Sequence, residues 1–251
     1  MSPQVARIFR FPVKGLGAQE LDAVDLVAAR CLPLDRRFAI RRGGGWAEPS
    51  GEWQPRGTFI TPERHPRLAA LETEFNPATL TLVIRRGGRP VVQGRLDTPM
   101  GRTVIEQFLA AYLKEAALGV PRIVEATGMA FLDQPEPTVS IINAASLADV
   151  ERALRMTVSP WRWRANLMIE NLPSWAEEGW IGRPLLLGEA TLIVTAPTAV
   201  SAMADMMPPG QGNGVTLSHA YRRAFTRATF GVLARVAVGG RVAVGDAVSL
   251  T

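Results

Sequence analysis

The sequence predicts a mainly β protein with a few helices, built as two packed β-rich parts around β-barrel or sandwich cores. Short segments rich in β-branched and aromatic residues recur along the chain, separated by glycine and proline turn signals. They do not alternate regularly with helical patterns, which disfavours a parallel doubly wound sheet. The 251 residues, 47% hydrophobic and 20% charged, suffice for one large or two small domains and exclude a disordered chain.

The N-terminal half is predicted to hold four strands and one helix. The strands span residues 5–13, 38–42, 80–84 and 90–95, and residues 86–89 form a hairpin turn between the last two. Thr98 and Pro99 open the helix. Its apolar stripe has helical period and consists of Val104, Ile105, Phe108, Leu109 and Tyr112.

The stretch 119–137 contains three prolines and two glycines and predicts a domain boundary. The N-terminal domain then spans residues 1–118 and the C-terminal domain residues 119–251. Strands in the second domain are predicted at 138–142, 167–169, 184–187, 191–195, 231–238 and 241–250. Gly239 and Gly240 are predicted to join the last two as a hairpin.

Two helices are predicted between the strands of the C-terminal half. Ser146, with Asp149 three residues later, forms a variant of the capping box and opens a helix whose core face includes Val150. The second helix lies within residues 218–227, where Tyr221 and Phe225 share one face.

The cations are almost all arginine. Lys14 and Lys114 are the only lysines, so 26 of the 28 cations are guanidinium groups, which hold phosphate-like oxyanions in a bidentate fork. Codon usage in a GC-rich bacterial genome explains the same excess. The net charge of +5 and the lack of a basic tract indicate no nucleic-acid partner. No apolar run approaches the roughly 18 to 20 residues needed to span a bilayer, and the N-terminus has no signal-peptide core, so we expect a cytoplasmic protein without membrane contact.

The sequence lacks the common metal-binding and nucleophilic motifs. One cysteine, Cys31, excludes a disulfide framework, a CxxC pair and a four-cysteine iron–sulfur cluster. The two histidines, His65 and His219, are too few for a histidine-rich metal site, and HExxH, GxSxG and P-loop motifs are absent. The GQGNG stretch at 210–214 follows two prolines and is predicted to be a loop.

Seven segments, in order along nearly the whole chain, resemble motifs of the MOSC family, the molybdenum cofactor sulfurase C-terminal domain with its N-terminal β-barrel partner. The first three are FPVKGL at 11–16, LDRRFA at 34–39 and HPRL at 65–68. The others are TVSII at 138–142 with ASL at 145–147, RWRANL at 162–167, WAEEGWIG at 175–182 and GGRVAVGDAV at 239–248.

The resemblance implies two packed β-barrel-like parts with a cleft that holds molybdenum cofactor, a pterin with a dithiolene and a terminal phosphate. Carried over by motif, the residues around that anion are Lys14, Arg36, Arg37, Ser140, Arg162, Arg164 and Asn166. The chemistry agrees, because a buried phosphate needs charge-assisted, hydroxyl and amide donors. For any single arginine, an ion pair with a local carboxylate such as Asp35 or Glu177 is the alternative.

The chain departs from the family at the metal ligand. Amidoxime-reducing relatives bind molybdenum through the cysteine of an R-C-x-x-x-x-x-D-P stretch, which corresponds here to residues 196–208. Ser201 stands at the cysteine position and Val200 at the arginine. Ser201 would then be the metal ligand, as an alkoxide, with Asp205 as a polar group at the metal. Otherwise the cofactor is held without a protein ligand or not at all, and Ser201 is a surface hydroxyl.

Neither the remaining cysteine nor the nearby methionines are expected to replace that ligand. Cys31 is expected to be a small buried residue. Met203, Met206 and Met207 are expected to pack or to line an apolar cleft.

The implied function is binding of molybdenum cofactor, with descent from N-oxygenate reductases, which remove oxygen from hydroxylated nitrogen. A reductase of this kind would need a separate electron-transfer partner, because the chain has no cysteines for an iron–sulfur cluster. Two alternatives stay open. The protein is a non-catalytic carrier or insertion factor that passes the cofactor to a molybdoenzyme, or its pocket has been adapted to another phosphorylated ligand.

Overall fold

The computed structural model describes residues 1–43, 53–114, 119–126, 128, 130–206 and 216–250. In chain order the strands are β1 (Gln4–Arg10), β2 (Val13–Lys14), β3 (Gln19–Leu21), β4 (Ala23–Leu26), β5 (Phe38–Arg41), β6 (Glu72–Asn76), β7 (Thr81–Arg86), β8 (Arg89–Arg95), β9 (Arg122–Glu125), β10 (Val139–Asn143), β11 (Leu167–Glu170), β12 (Pro184–Leu187), β13 (Ala190–Ala199), β14 (Thr229–Val238), β15 (Gly240–Ala243) and β16 (Val248–Leu250). The α-helices in these ranges are α1 (Pro99–Leu113), α2 (Ala144–Leu154) and α3 (Leu217–Phe225). This composition confirms the mainly β class. The loop at 210–214 and Met207 lie outside the described residues.

The largest sheet has eight strands in the order β16-β12-β13-β14-β10-β11-β1-β3. The β10 and β11 strands run parallel, and the other neighbours run antiparallel. Its inward side chains, such as Ile8, Ile141 and Val232, are fully or almost fully buried in one core. The first strand of the chain therefore lies in the sheet built mostly from the C-terminal half.

The N-terminal half adds a second core beneath α1. Three-stranded sheets β2-β5-β9 and β6-β7-β8 pack here with the helix. As predicted, Thr98 caps α1, its hydroxyl accepting a hydrogen bond from the Gly101 N–H at 3.2 Å. Ile105 and Leu109, one turn apart on its buried face, are fully enclosed.

The predicted hairpin between β7 and β8 is confirmed. Gly87 and Gly88 have φ angles of +57° and +75°, and Arg86 pairs with Arg89 across the turn. Positive φ at both central positions is what a two-residue turn between twisted strands needs, and glycine adopts it without steric cost.

The predicted hairpin at Gly239 and Gly240 is wrong. The β15 strand, which begins at Gly240, pairs with β4 near the N-terminus and not with β14. A Cβ atom on Gly240 would lie 2.6 Å from the backbone of Glu189, so glycine permits a close crossing here and not a turn. The predicted strand 241–250 is divided into β15 and β16, with Gly245 at φ +91° between them.

The start of α2 differs from the prediction as well. Asn143, not Ser146, is the N-cap, and its side-chain oxygen accepts from the Ala145 N–H at 2.9 Å. Ser146 is fully buried and donates its hydroxyl to Glu177 at 2.8 Å. The Ser146 hydroxyl, which the local sequence predicts to cap the helix, therefore hydrogen-bonds to the carboxylate of Glu177 in a distant segment.

Further corrections concern strands. The predicted strand 5–13 is interrupted at Phe11 and Pro12, because Pro12 has no N–H for a ladder, and becomes β1 and β2. The β3, β4, β6 and β9 strands were not predicted.

No helix of the described residues has the length and apolar character needed to cross a bilayer.

Candidate functional site

A pocket enclosing about 920 Å³, its open mouth included, is lined by residues from both halves of the chain. Five of its lining residues are cationic: Lys14, Arg36, Arg56, Arg162 and Arg164. Asp133 is the only acidic residue among the described residues of the wall. The pocket therefore favours an anionic ligand.

Lys14 reaches the pocket from β2 with only 6% of its side chain exposed. Its ammonium group donates to the Phe131 carbonyl at 2.7 Å and to Asp133 Oδ1 at 2.6 Å. Burial lowers the pKa of Lys14 to about 8, although Asp133 opposes the shift. Lys14 is thus mainly protonated at neutral pH and titrates just above it.

Arg36 and Arg164 come from opposite halves of the chain and meet in the wall. Both backbones are left-handed, with φ of +48° and +53°. Arg36 pairs with the buried Asp35 carboxylate and donates through Nη2 to the Arg164 carbonyl at 2.9 Å. Arg164 donates through Nη1 to the Leu16 carbonyl at 2.8 Å, and its guanidinium lies 4.2 Å from the centre of the Phe11 ring.

The second terminal nitrogen of Arg164 has no hydrogen-bond partner among the described residues, although it is buried. Burial and the neighbouring charge of Arg36 lower the pKa of Arg164 to about 9, which leaves it charged at neutral pH. A buried cationic donor without an acceptor is costly. An oxyanion at this nitrogen would supply the missing acceptor.

Ser140 and Asn166 line the pocket but hydrogen-bond to each other. The Asn166 side-chain oxygen accepts from the Ser140 hydroxyl at 3.0 Å and from its N–H at 3.1 Å. The Asn166 amide donates to the Phe9 carbonyl at 3.2 Å. These contacts tie β10 to β1 and fix the backbone that carries Arg164.

Arg162 lines the pocket from a 3-10 helix, Pro160–Trp163, and is 1% exposed. Its Nε donates to the Ala204 carbonyl at 2.7 Å. This bond joins the helix to the segment that carries Ser201.

Two predicted site residues are placed away from the pocket wall. Arg37 pairs with Glu125 of β9 at 2.6 Å. Asp205 accepts from the Ser218 N–H at 2.6 Å and the Ser218 hydroxyl at 2.8 Å, so its carboxylate is engaged at the start of α3. Both contacts join residues that are separated along the chain, by 88 and 13 positions, so sequence motifs do not reveal them.

Ser201, the predicted metal ligand, does line the pocket. Its hydroxyl oxygen accepts from the Met203 N–H at 3.2 Å and so caps a 3-10 helix, Ala202–Asp205. Within the described ranges, no group of three or more histidine, cysteine or acidic residues could hold a metal ion.

Cys31 lies at a separate open depression beside Asp35 and Arg37. Burial raises the pKa of its thiol to about 11, so it is not a thiolate at neutral pH. Met203 contributes to the main pocket wall, in agreement with the expectation of a cleft-lining methionine.

Sequence reasoning missed Arg56 and Asp133. Arg56 pairs with Glu63 at 3.3 Å and with Asp133, and Asp133 also holds Lys14. Neither residue lies in a motif quoted for the resemblance, and 77 positions separate them along the chain. Only the fold brings them together.

The family model of the MOSC domain matches residues 129–249, and that of the MOSC N-terminal beta barrel domain matches residues 2–117. Comparison with curated proteins gave no match.

Among solved structures, the chain resembles the YUAD protein from Bacillus subtilis, with 10% identity and a TM-score of 0.52, over 100% of this chain and 96% of that one. YiiM proteins from Geobacillus stearothermophilus and Escherichia coli match at 14% and 16% identity with TM-scores of 0.35 and 0.34, each over 45% of this chain and 53% of theirs. At these identities the likeness to YUAD concerns the fold alone.

Proposed function

The chain belongs to the MOSC family, and from this premise we propose that its pocket binds molybdenum cofactor by the cofactor's terminal phosphate. One observation carries the proposal: a cluster of cations from both halves lines a single pocket, and in it a buried nitrogen of Arg164 has no acceptor among the described residues. A phosphate oxygen is the acceptor that a guanidinium group suits best.

The donor set fits the phosphate end of the cofactor. Arg164 and Arg36 would hold the phosphate oxygens, and Lys14 would add an ammonium donor from β2. Apolar side chains of the same wall, among them Ile142 and Phe230, would exclude water from the pterin ring of the cofactor. The protein's contribution is thus binding and orientation.

The fit at the metal end is weaker. Ser201 is the pocket residue that would bind the metal. A hydroxyl must lose a far less acidic proton than a thiol before it can bind a metal. Its oxygen also caps the 202–205 helix. Molybdenum cofactor, when bound, supplies oxygen-atom transfer. We expect the residues of this chain to retain it chiefly through its phosphate.

The test is cofactor content after expression in a host that makes molybdenum cofactor. Arg164→Gln should lower pterin fluorescence and molybdenum per chain at least about tenfold, because it removes a charged donor worth a few kcal/mol. Arg37→Gln is the matched control, since Arg37 lies outside the pocket wall and Glu125 keeps a second partner in Arg102 at 2.6 Å. Equal cofactor in the two variants would contradict the assignment.

A second candidate is a carrier or insertion factor, and it is favoured by the lack of a thiolate ligand. The chain has no cysteine after Cys31, and a carrier must release its cargo. Loaded protein should then pass cofactor to an apo-molybdoenzyme. A reductase would instead turn over an amidoxime or hydroxylamine when a separate redox partner supplies electrons.

A further inference from the structure

Asp133 bridges two of the pocket's cations. Its Oδ1 accepts from Lys14 at 2.6 Å, and its Oδ2 pairs with Arg56. Partial burial disfavours its ionised form, yet the hydrogen bond from Arg56 and the charge of Lys14 hold the pKa of Asp133 well below its usual range. The carboxylate therefore stays ionised near neutral pH and occupies donors that an anionic ligand would use.

Asp133 can leave this position once an incoming anion replaces it at the two cations. It lies in a segment without helix or strand, and 46% of its side chain is exposed, so water can solvate the freed carboxylate. Lys14 would keep the Phe131 carbonyl, and Arg56 would keep Glu63. Each cation thus retains one partner after Asp133 departs.

Asp35, a second carboxylate near the cluster, cannot leave in this way. Asp35 has no exposed side-chain surface and accepts from the Phe11 N–H at 2.7 Å, besides pairing with Arg36. Removing it would leave a buried N–H without an acceptor. Asp35 is a fixed part of the wall, in contrast to Asp133.

We infer that Asp133 is an internal counter-ion that the ligand's oxyanion displaces from Lys14 and Arg56, so that it weakens binding and favours release. The inference rests on the proposed anion-binding role of the pocket. It assigns Asp133 a role opposite to that of an orienting residue: an orienting carboxylate would strengthen binding by holding both cations in place.

The two roles predict opposite effects of removing the charge. The full chain is produced in a host without molybdenum cofactor and titrated calorimetrically with inorganic phosphate. Asp133→Asn should bind phosphate about tenfold more tightly than wild type, because the negative charge that competes for Lys14 and Arg56 is lost. Glu63→Gln is the matched control: it shares Arg56 but does not line the pocket, and should change affinity less than about twofold.

Unchanged or weaker binding by Asp133→Asn would overturn the inference and leave the proposed function standing, provided that wild type binds phosphate. Equal tightening by Glu63→Gln would also overturn it, since net charge would then be the cause. If none of the proteins binds phosphate, the anion clamp of the proposed function fails with it.

A second measurement on wild type requires no substitution. Saturating phosphate should speed amide hydrogen exchange in residues 130–137, because Asp133 loses both cationic partners. Slower exchange there would mean that Asp133 stays in place when the anion binds, and would overturn the inference.

Discussion

At the scale of single residues, the site is defined by charges that the protein itself does not fully compensate. Lys14 and Arg164 are both desolvated, and burial lowers the pKa of each. A protein that holds a buried cation below its normal pKa has built a site whose charged state is stabilised by an incoming anion. Ligand affinity should therefore depend on the protonation of Lys14.

We predict that the affinity for sulfate, which does not titrate in this range, falls as pH rises through about 8. The pKa of Lys14 in the free protein is about 8, and the anion binds its protonated form. Affinity should be level below that pH and then decline by up to about tenfold per pH unit, since binding must take up a proton.

Calorimetric titrations between pH 6.5 and 8.5, below the pKa of about 9 that burial leaves to Arg164, provide the measurement. Lys14→Arg should remove most of the decline over this range, because a guanidinium group has a higher intrinsic pKa than an ammonium group. A flat profile for wild type would show that Lys14 does not face the bound anion.

At the scale of elements, sequence patterns predicted the helices and turns whose formation depends on local interactions. The β7–β8 hairpin follows from two adjacent glycines, and α1 from its Thr98 cap and apolar stripe. The β4–β15 pair joins Val24 to Val242, far apart in sequence, and no local pattern marks it. The start of α2 was mispredicted for the same reason, because the partner of Ser146 is the distant Glu177.

That partner makes Glu177 a structural residue with a measurable contribution. It is fully buried and accepts from the Asn143 amide at 3.0 Å and from the Ser146 hydroxyl. Glu177→Ala should lower the free energy of unfolding by about 2–4 kcal/mol, because two buried donors lose their acceptor. Urea denaturation measures this change.

The neighbouring carboxylate gives the control. Glu178 is 43% exposed and pairs with Arg227 at the surface, so Glu178→Ala should cost less than about 1 kcal/mol. Similar losses in the two variants would refute the buried network around α2.

At the scale of the whole molecule, the two halves share both the main sheet and the pocket. The β1 and β3 strands complete the eight-stranded sheet, and the pocket combines Lys14 and Arg36 with Arg164. Motif resemblance indicated most of these wall residues, since short sequence motifs carry them. It did not separate Arg37 and Asp205 from the pocket, nor reveal Arg56 and Asp133, because ion-pair partners are chosen in three dimensions.

We propose that this shared pocket retains molybdenum cofactor by its phosphate and not by a ligand at position 201. Native mass spectrometry of wild type and Ser201→Cys, both from a host that makes the cofactor, tests it most directly. We predict one phosphorylated pterin per chain in both proteins, whether or not molybdenum accompanies it. A wild-type chain without ligand, or one that carries a phosphorylated compound other than the pterin, would contradict the claim.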